Sequence, residues 1–187
     1  MALLQTPMVQ TGLKTPTFKL IGTDDKIHQL ADFKNKAALL VMFICNHCPY
    51  VKAIQQRLVS DVKILQADNI GVVAISSNDP NDYPEDNMSH MKKVSKAFGF
   101  TFPYLFDETQ EVAKNFGAIC TPDFFGYNAQ GELCYRGRLD AFSKGERPAE
   151  AKLELVEAMR LIAKTGQGPI EQFSSMGCSI KWRNNKG

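Results

Sequence analysis

The apolar run Ala37–Ile44 constrains this chain more than any other stretch, because it leads without interruption into Cys45-Asn46-His47-Cys48 and then Pro49. A continuous run of that length, bounded by turn-forming residues, reads as a strand covered on both faces, the centre of a sheet. From Pro49 the period changes. Val51, Ile54, Leu58, Val62 and Leu65 recur at three- and four-residue steps, which predicts a helix to about Ala67. The two cysteines therefore stand where a central strand hands over to a long helix, in the strand-end crevice where α/β proteins often build their sites.

The alternation continues along the chain and predicts an α/β layer architecture. Thr17–Leu20 and Lys26–Gln29 flank the turn Gly22-Thr23-Asp24-Asp25 as an N-terminal β-hairpin. Ile70–Ser76 is a second buried strand. Pro84 suits the first position of a helix carrying Met88, Met91, Val94 and Phe98 and ending at Gly99. Pro103–Phe106 is a short strand, and Asp107-Glu108-Thr109-Gln110 has the form of a capping box opening a helix to Phe116. Asp123–Tyr127 and Glu132–Arg138 form a hairpin about Asn128-Ala129-Gln130-Gly131. Ala149–Lys164 is the closing helix, after which Gly166-Gln167-Gly168-Pro169 releases a C-terminal tail.

A chain of 187 residues, 44% of them hydrophobic, can bury a core without covalent staples. It reads as a single domain over 1–187, with a core of about 17–165 and a tail of 166–187. Its formal charge of +2 comes from dispersed residues, so neither a nucleic acid nor an anionic membrane is an expected partner. Ala37–Ile44 is far too short to cross a bilayer, and Met1–Gly12 lacks the form of a secretory leader, so a cytoplasmic location is expected.

Five cysteines, unevenly spaced, do not form a disulfide framework. Cys45 and Cys48 are instead a candidate catalytic pair. Free N–H groups at a helix start favour a thiolate, and the expectation is that Cys45, nearer solvent, titrates below the free-thiol value of about 8.5 and attacks, with Cys48 resolving. His47, as an imidazolium, would tune the thiolate further. No cofactor is expected beyond a redox-active Cys45–Cys48 disulfide. Partners would be a disulfide-containing protein, or a small thiol or peroxide substrate, and an external dithiol reductant or oxidant.

Three segments add a family likeness. Phe43-Ile44-Cys45-Asn46-His47-Cys48-Pro49-Tyr50-Val51, Thr121-Pro122-Asp123-Phe124-Phe125 and Tyr135-Arg136-Gly137-Arg138 resemble the peroxiredoxin-like (AhpC/TSA, redoxin-type) branch of the thioredoxin superfamily, and the tail segment Gly177–Trp182 is similar to one found there. The resemblance implies a thioredoxin-like fold, a central mixed sheet flanked by helices with a strand–helix unit inserted before Thr121. It also implies that Thr121-Pro122 is a cis-proline turn facing the cysteines, with the Thr121 backbone holding an extended substrate.

Both parent patterns are broken. Leu39 stands where thioredoxins bury an acid. The arginine that peroxiredoxins aim at their thiolate falls near Thr121, leaving Arg136 and Arg138 as candidates. Aligned as a peroxiredoxin, the chain has Cys48 as the peroxidatic thiol and Cys45 as its resolving partner. Cys120 and Cys178 are possible additional redox thiols, while Cys134 reads as packing. Two other classes compete. Zinc on Cys45, His47 and Cys48 lacks a fourth ligand and a second paired motif, so no metal is expected. A redox-inactive binding module is compatible with the fold but has no need of two thiols at a helix start.

Overall fold

The computed structural model describes residues 2–7 and 11–183. In chain order its elements are β1 (Leu3–Gln5), β2 (Lys19–Gly22), β3 (Ile27–Gln29), β4 (Ala38–Phe43), α1 (Pro49–Ala67), β5 (Ile70–Ser76), α2 (Met88–Phe98), β6 (Tyr104–Phe106), α3 (Glu111–Phe116), β7 (Cys120–Thr121), β8 (Asp123–Asn128), β9 (Leu133–Gly137), α4 (Glu154–Thr165) and β10 (Met176–Ser179). Seven strands form a mixed sheet in the order β3-β2-β6-β5-β4-β8-β9. β4 lies inside it, parallel to β5 and antiparallel to β8, while the middle strand of the seven is β5 rather than the expected β4.

All six residues of β4 are buried because both faces are covered, and the period of two divides them. Leu40 and Met42 pack with Val51, Leu58 and Val62 of α1 and Leu155, Met159 and Ile162 of α4. Leu39, Val41 and Phe43 pack on the opposite side with Val112, Ala113 and Phe116 of α3. Phe43, Phe116 and Phe125 meet there edge to face, with centroids 5.5–5.8 Å apart. The inserted unit β6–α3 thus supplies a strand beside β5 and the cover of the second face.

Several boundaries differ from the sequence reading, each for a tertiary reason. Pro84–Asp86 is a separate 3-10 turn; α2 begins only at Met88, where the Asn87 side chain accepts the His90 amide. The Asp107 carboxylate accepts the amides of Val112 and Ala113, two residues beyond the expected capping box, and Gln110 adopts a left-handed conformation. The closing helix begins at Glu154 rather than Ala149. The preceding segment is tied to α1 instead, through Arg57 to the carbonyls of Ser143 and Gly145 and through a paired Arg147–Asp61 contact.

The largest departure is the tail. It does not leave the body after Gly166 but returns as β10, the middle of a second sheet ordered β1-β10-β7. β1 had no sequence signal of its own, and residues 184–187 of the expected tail lie outside the described residues. Among the described residues no helix is long and apolar enough to cross a membrane.

Candidate functional site

The first turn of α1 places the cysteines. Cys48 is its N-cap and Pro49 its first residue, where a missing N–H costs nothing because that group has no partner inside the helix. Opposite stands Thr121, whose bond to Pro122 is cis. Cys45 Sγ lies 3.1 Å from Thr121 Oγ1, and Cys48 Sγ lies 3.2 Å from the Thr121 carbonyl oxygen. One residue therefore contacts both sulfurs.

The surroundings of the two thiols act in opposite directions. Cys48 is lowered to about 4, first by the hydrogen bond from Cys45, against its burial, and further by the Cys178 thiol and the Cys178 and Val51 amides. Cys45 is raised well above the usual thiol range by burial, by its bond to Cys48 and by the nearby Asp86 carboxylate. The Cys48 thiol can donate to the Thr121 carbonyl, while its place at the start of α1 favours the anion. Neither thiol is open to solvent: Cys45 is 2% exposed and Cys48 0%.

Asp86 is the functional group the sequence did not disclose. It is fully buried, and its Oδ1 accepts the amides of Asn46 and His47 while its Oδ2 accepts from His47 Nδ1 and Asn78 Nδ2. Burial opposes its ionisation, yet the hydrogen bonds from His47 and Asn78 hold it below the usual carboxylate range. Asn46 is fixed further by Glu85 O and Tyr104 Oη. The 3-10 turn thus grips the two residues between the cysteines, and it brings a buried acid beside Cys45 from an element other than β4. Leu39, at the position thioredoxins give an acid, faces the other core. His47 is buried against Tyr83, with Nδ1 committed to Asp86 and Nε2 without a hydrogen-bond partner.

Cys45, His47 and Asp86 bring three possible metal-ligating atoms within 4.8 Å of one another. A closed structural zinc site takes four ligands, and both Asp86 oxygens are already occupied by N–H donors, so the group fits a hydrogen-bonded network better than a metal centre. The arginines sit elsewhere. Arg136 pairs with Asp123 and lies over Phe125, and Arg138 pairs with Glu154. Cys120 is buried, its thiol held protonated by desolvation and by Asp123, and Cys134 Sγ donates to the Glu132 and Gly166 carbonyls.

The Thr121 edge does not lie open for an extended substrate, as the sequence reading expected. β10 occupies it, with Cys178 opposite Thr121 and Ser179 opposite Cys120. Gly177 permits the approach: a Cβ there would lie 2.0 Å from the Thr121 carbonyl oxygen and 3.1 Å from Pro122 Cδ. Gly177→Ala is accordingly expected to lower stability by about 1–3 kcal/mol, because backbone must move, and to speed iodoacetamide labelling of Cys48. Unchanged labelling at an unchanged melting temperature would show that β10 does not cover the thiol.

Comparison with known proteins follows the same outline. The chain matches the AhpC/TSA family model over residues 11–137. It is similar to an uncharacterised conserved protein of Geobacillus kaustophilus, at 40% identity over 98% of both chains with a TM-score of 0.92. A hypothetical protein of Sinorhizobium meliloti is 36% identical over 96% of this chain and 98% of its own, with a TM-score of 0.87. A thiol:disulfide interchange protein of Chlorobium tepidum, at 18% identity over 81% and 97% of the two chains, shares the fold with a TM-score of 0.62. No curated protein matches. With β4 inside a mixed sheet, two cysteines at the start of α1, and a family model covering more than half its length, the chain belongs to the AhpC/TSA family of the thioredoxin superfamily.

Proposed function

We propose that the protein is a thiol–disulfide oxidoreductase working through Cys45 and Cys48, with Cys48 as the attacking thiolate and Cys45 as the resolving thiol. The observation that carries this reading is geometric: Cys48 caps α1, where the helix start favours an anion, Cys45 stands beside the Asp86 carboxylate, which disfavours one, and both sulfurs rest against Thr121. The pair is thereby prepared for two successive exchanges. Cys48 attacks a substrate disulfide, forming a Cys48–substrate bond and expelling the other substrate sulfur as a thiolate. Cys45 then attacks Cys48, releasing the second substrate sulfur, which takes the Cys45 proton, and the Cys45–Cys48 disulfide remains. An external dithiol reductant restores the pair. The thiol:disulfide interchange protein of Chlorobium tepidum bears a name of the same chemical class.

Peroxide reduction at Cys48 is the competing chemistry, since Cys48-Pro49 occupies the peroxidatic position. The positions of Arg136 and Arg138 weigh against it, because each is paired with an acid away from the cysteines. Reduced protein should therefore react with oxidised glutathione to give the Cys45–Cys48 disulfide, while Cys45→Ser stops at a Cys48–glutathione adduct seen by mass spectrometry. Rapid peroxide consumption that survives Cys45→Ser and vanishes with Cys48→Ser would replace this reading with a peroxidase.

A further inference from the structure

We propose that Cys178 is a third redox thiol of this site, exchanging with Cys48 so that the disulfide migrates from Cys45–Cys48 to Cys48–Cys178. The proposal rests on the dithiol reading above.

Position is the first argument. Thr121 touches Cys45 through its hydroxyl and Cys48 through its carbonyl, and its register partner on β10 is Cys178. Three cysteines from two segments distant in the chain thus converge on one residue. An extended substrate pairing with this edge would set a sulfur where Cys178 stands, so the chain supplies its own occupant for the substrate position.

The strand is also held in place. Ser175 Oγ donates to the Pro122 carbonyl at 2.6 Å, the Ile180 amide to Ile119 O at 2.9 Å, and the Lys181 carbonyl accepts from Asp79 N and Gln110 Nε2. Anchors therefore lie on both sides of Cys178, and its thiol is presented at a defined point rather than on a loose tail. It stands opposite Thr121, against whose carbonyl Cys48 Sγ rests, and burial apart Cys48 is the group that acts on it most. Cys134, by contrast, is satisfied by two carbonyls.

The exchange balances internally. Cys178 sulfur attacks Cys48 Sγ; the Cys48–Cys178 bond forms as the Cys45–Cys48 bond breaks, and the electron pair leaves on Cys45. The proton released by Cys178 passes to Cys45, the thiol whose surroundings most disfavour its anion. No oxidant or reductant is consumed. Burial raises Cys178 to about 11, while Lys144 and Lys181 nearby oppose that rise and assist its deprotonation.

The test is disulfide mapping of protein oxidised with oxidised dithiothreitol, acid-quenched, alkylated and digested with trypsin. Cleavage after Lys36, Lys52, Lys164 and Lys181 leaves Cys45 and Cys48 together in peptide 37–52 and Cys178 alone in 165–181. The expected result is a cross-link between these peptides at Cys48 beside the intrapeptide disulfide. In Cys45→Ser the cross-link should become the main product, and alkylation of Cys178 should fall at least about tenfold on oxidation. Formation of Cys45–Cys48 in the parent, with Cys178 fully alkylated in both proteins, would overturn the Cys178 assignment and leave the dithiol reading standing. Failure of the parent to form either disulfide would overturn both.

Discussion

Cys48→Ser should lower the rate of disulfide reduction by at least about a thousandfold, since it removes the attacking sulfur of the proposed exchange and a serine hydroxyl cannot replace it. The parent should hold one thiolate, visible by its ultraviolet absorbance, from neutral pH down toward about 4, where Cys48 titrates. An ordinary thiol would lose that absorbance below about 8.5. The same difference makes stability depend on pH. Cys48 titrates lower in the folded chain than in the unfolded one, so between about 4 and 8.5 the unfolded chain binds the extra proton and stability rises with pH. The contribution is complete above about 8.5 and is lost as pH falls through 4. Cys45 and Cys178 are raised and act in the opposite sense, withdrawing stability as pH climbs beyond the ordinary thiol range. Denaturant melts of the reduced protein across this range should show Cys48→Ser flattening the acidic limb. Absorbance that persists at pH 5 in Cys48→Ser, and disappears in Cys45→Ser, would reverse the assignment of the two sulfurs.

The charge on the cysteine pair marks where the sequence ceased to be informative. The handover from β4 to α1 was legible because hydrophobic period is a local property: the buried run Ala37–Ile44 and the stripe from Val51 to Leu65 each report their own burial. Which cysteine carries the charge is not local. It depends on a carboxylate 40 residues away, on Thr121, and on a strand from the far end of the chain. Asp86 follows Pro84 and Glu85, so it reads as an ordinary acidic residue of a helix start; only the folding of the 3-10 turn over Asn46 and His47 reveals it as an acceptor for four donors. β10 escaped for another reason. Met176–Ser179 is four residues long and alternates weakly, and its burial is supplied by β1 and β7, segments of three and two residues. A sheet assembled from the two termini and the proline turn has almost no local pattern to read.

Asp86 provides the second large effect. Asp86→Ala leaves Asn46 N–H, His47 N–H, His47 Nδ1 and Asn78 Nδ2 without their acceptor in a dry site, and removal of one partner from such a buried charged network costs about 3–5 kcal/mol. Asp86→Asn is the more informative variant. Its remaining carbonyl oxygen can still accept the Asn46 and His47 amides, so its cost should be smaller, about 1–3 kcal/mol, from the amide group it turns toward Asn78 and His47. It also deletes the negative charge that disfavours ionisation of Cys45. Cys45 should then titrate lower and donate less firmly to Cys48, so that Cys48 titrates higher and the two thiol steps draw together. Alkylation rates followed against pH read both steps in one protein. If Asp86 serves only to hold the loop, Asp86→Asn will lower the melting temperature while the gap between the two steps stays as in the parent; a narrowed gap in folded protein assigns the carboxylate the further task of keeping the proton on Cys45.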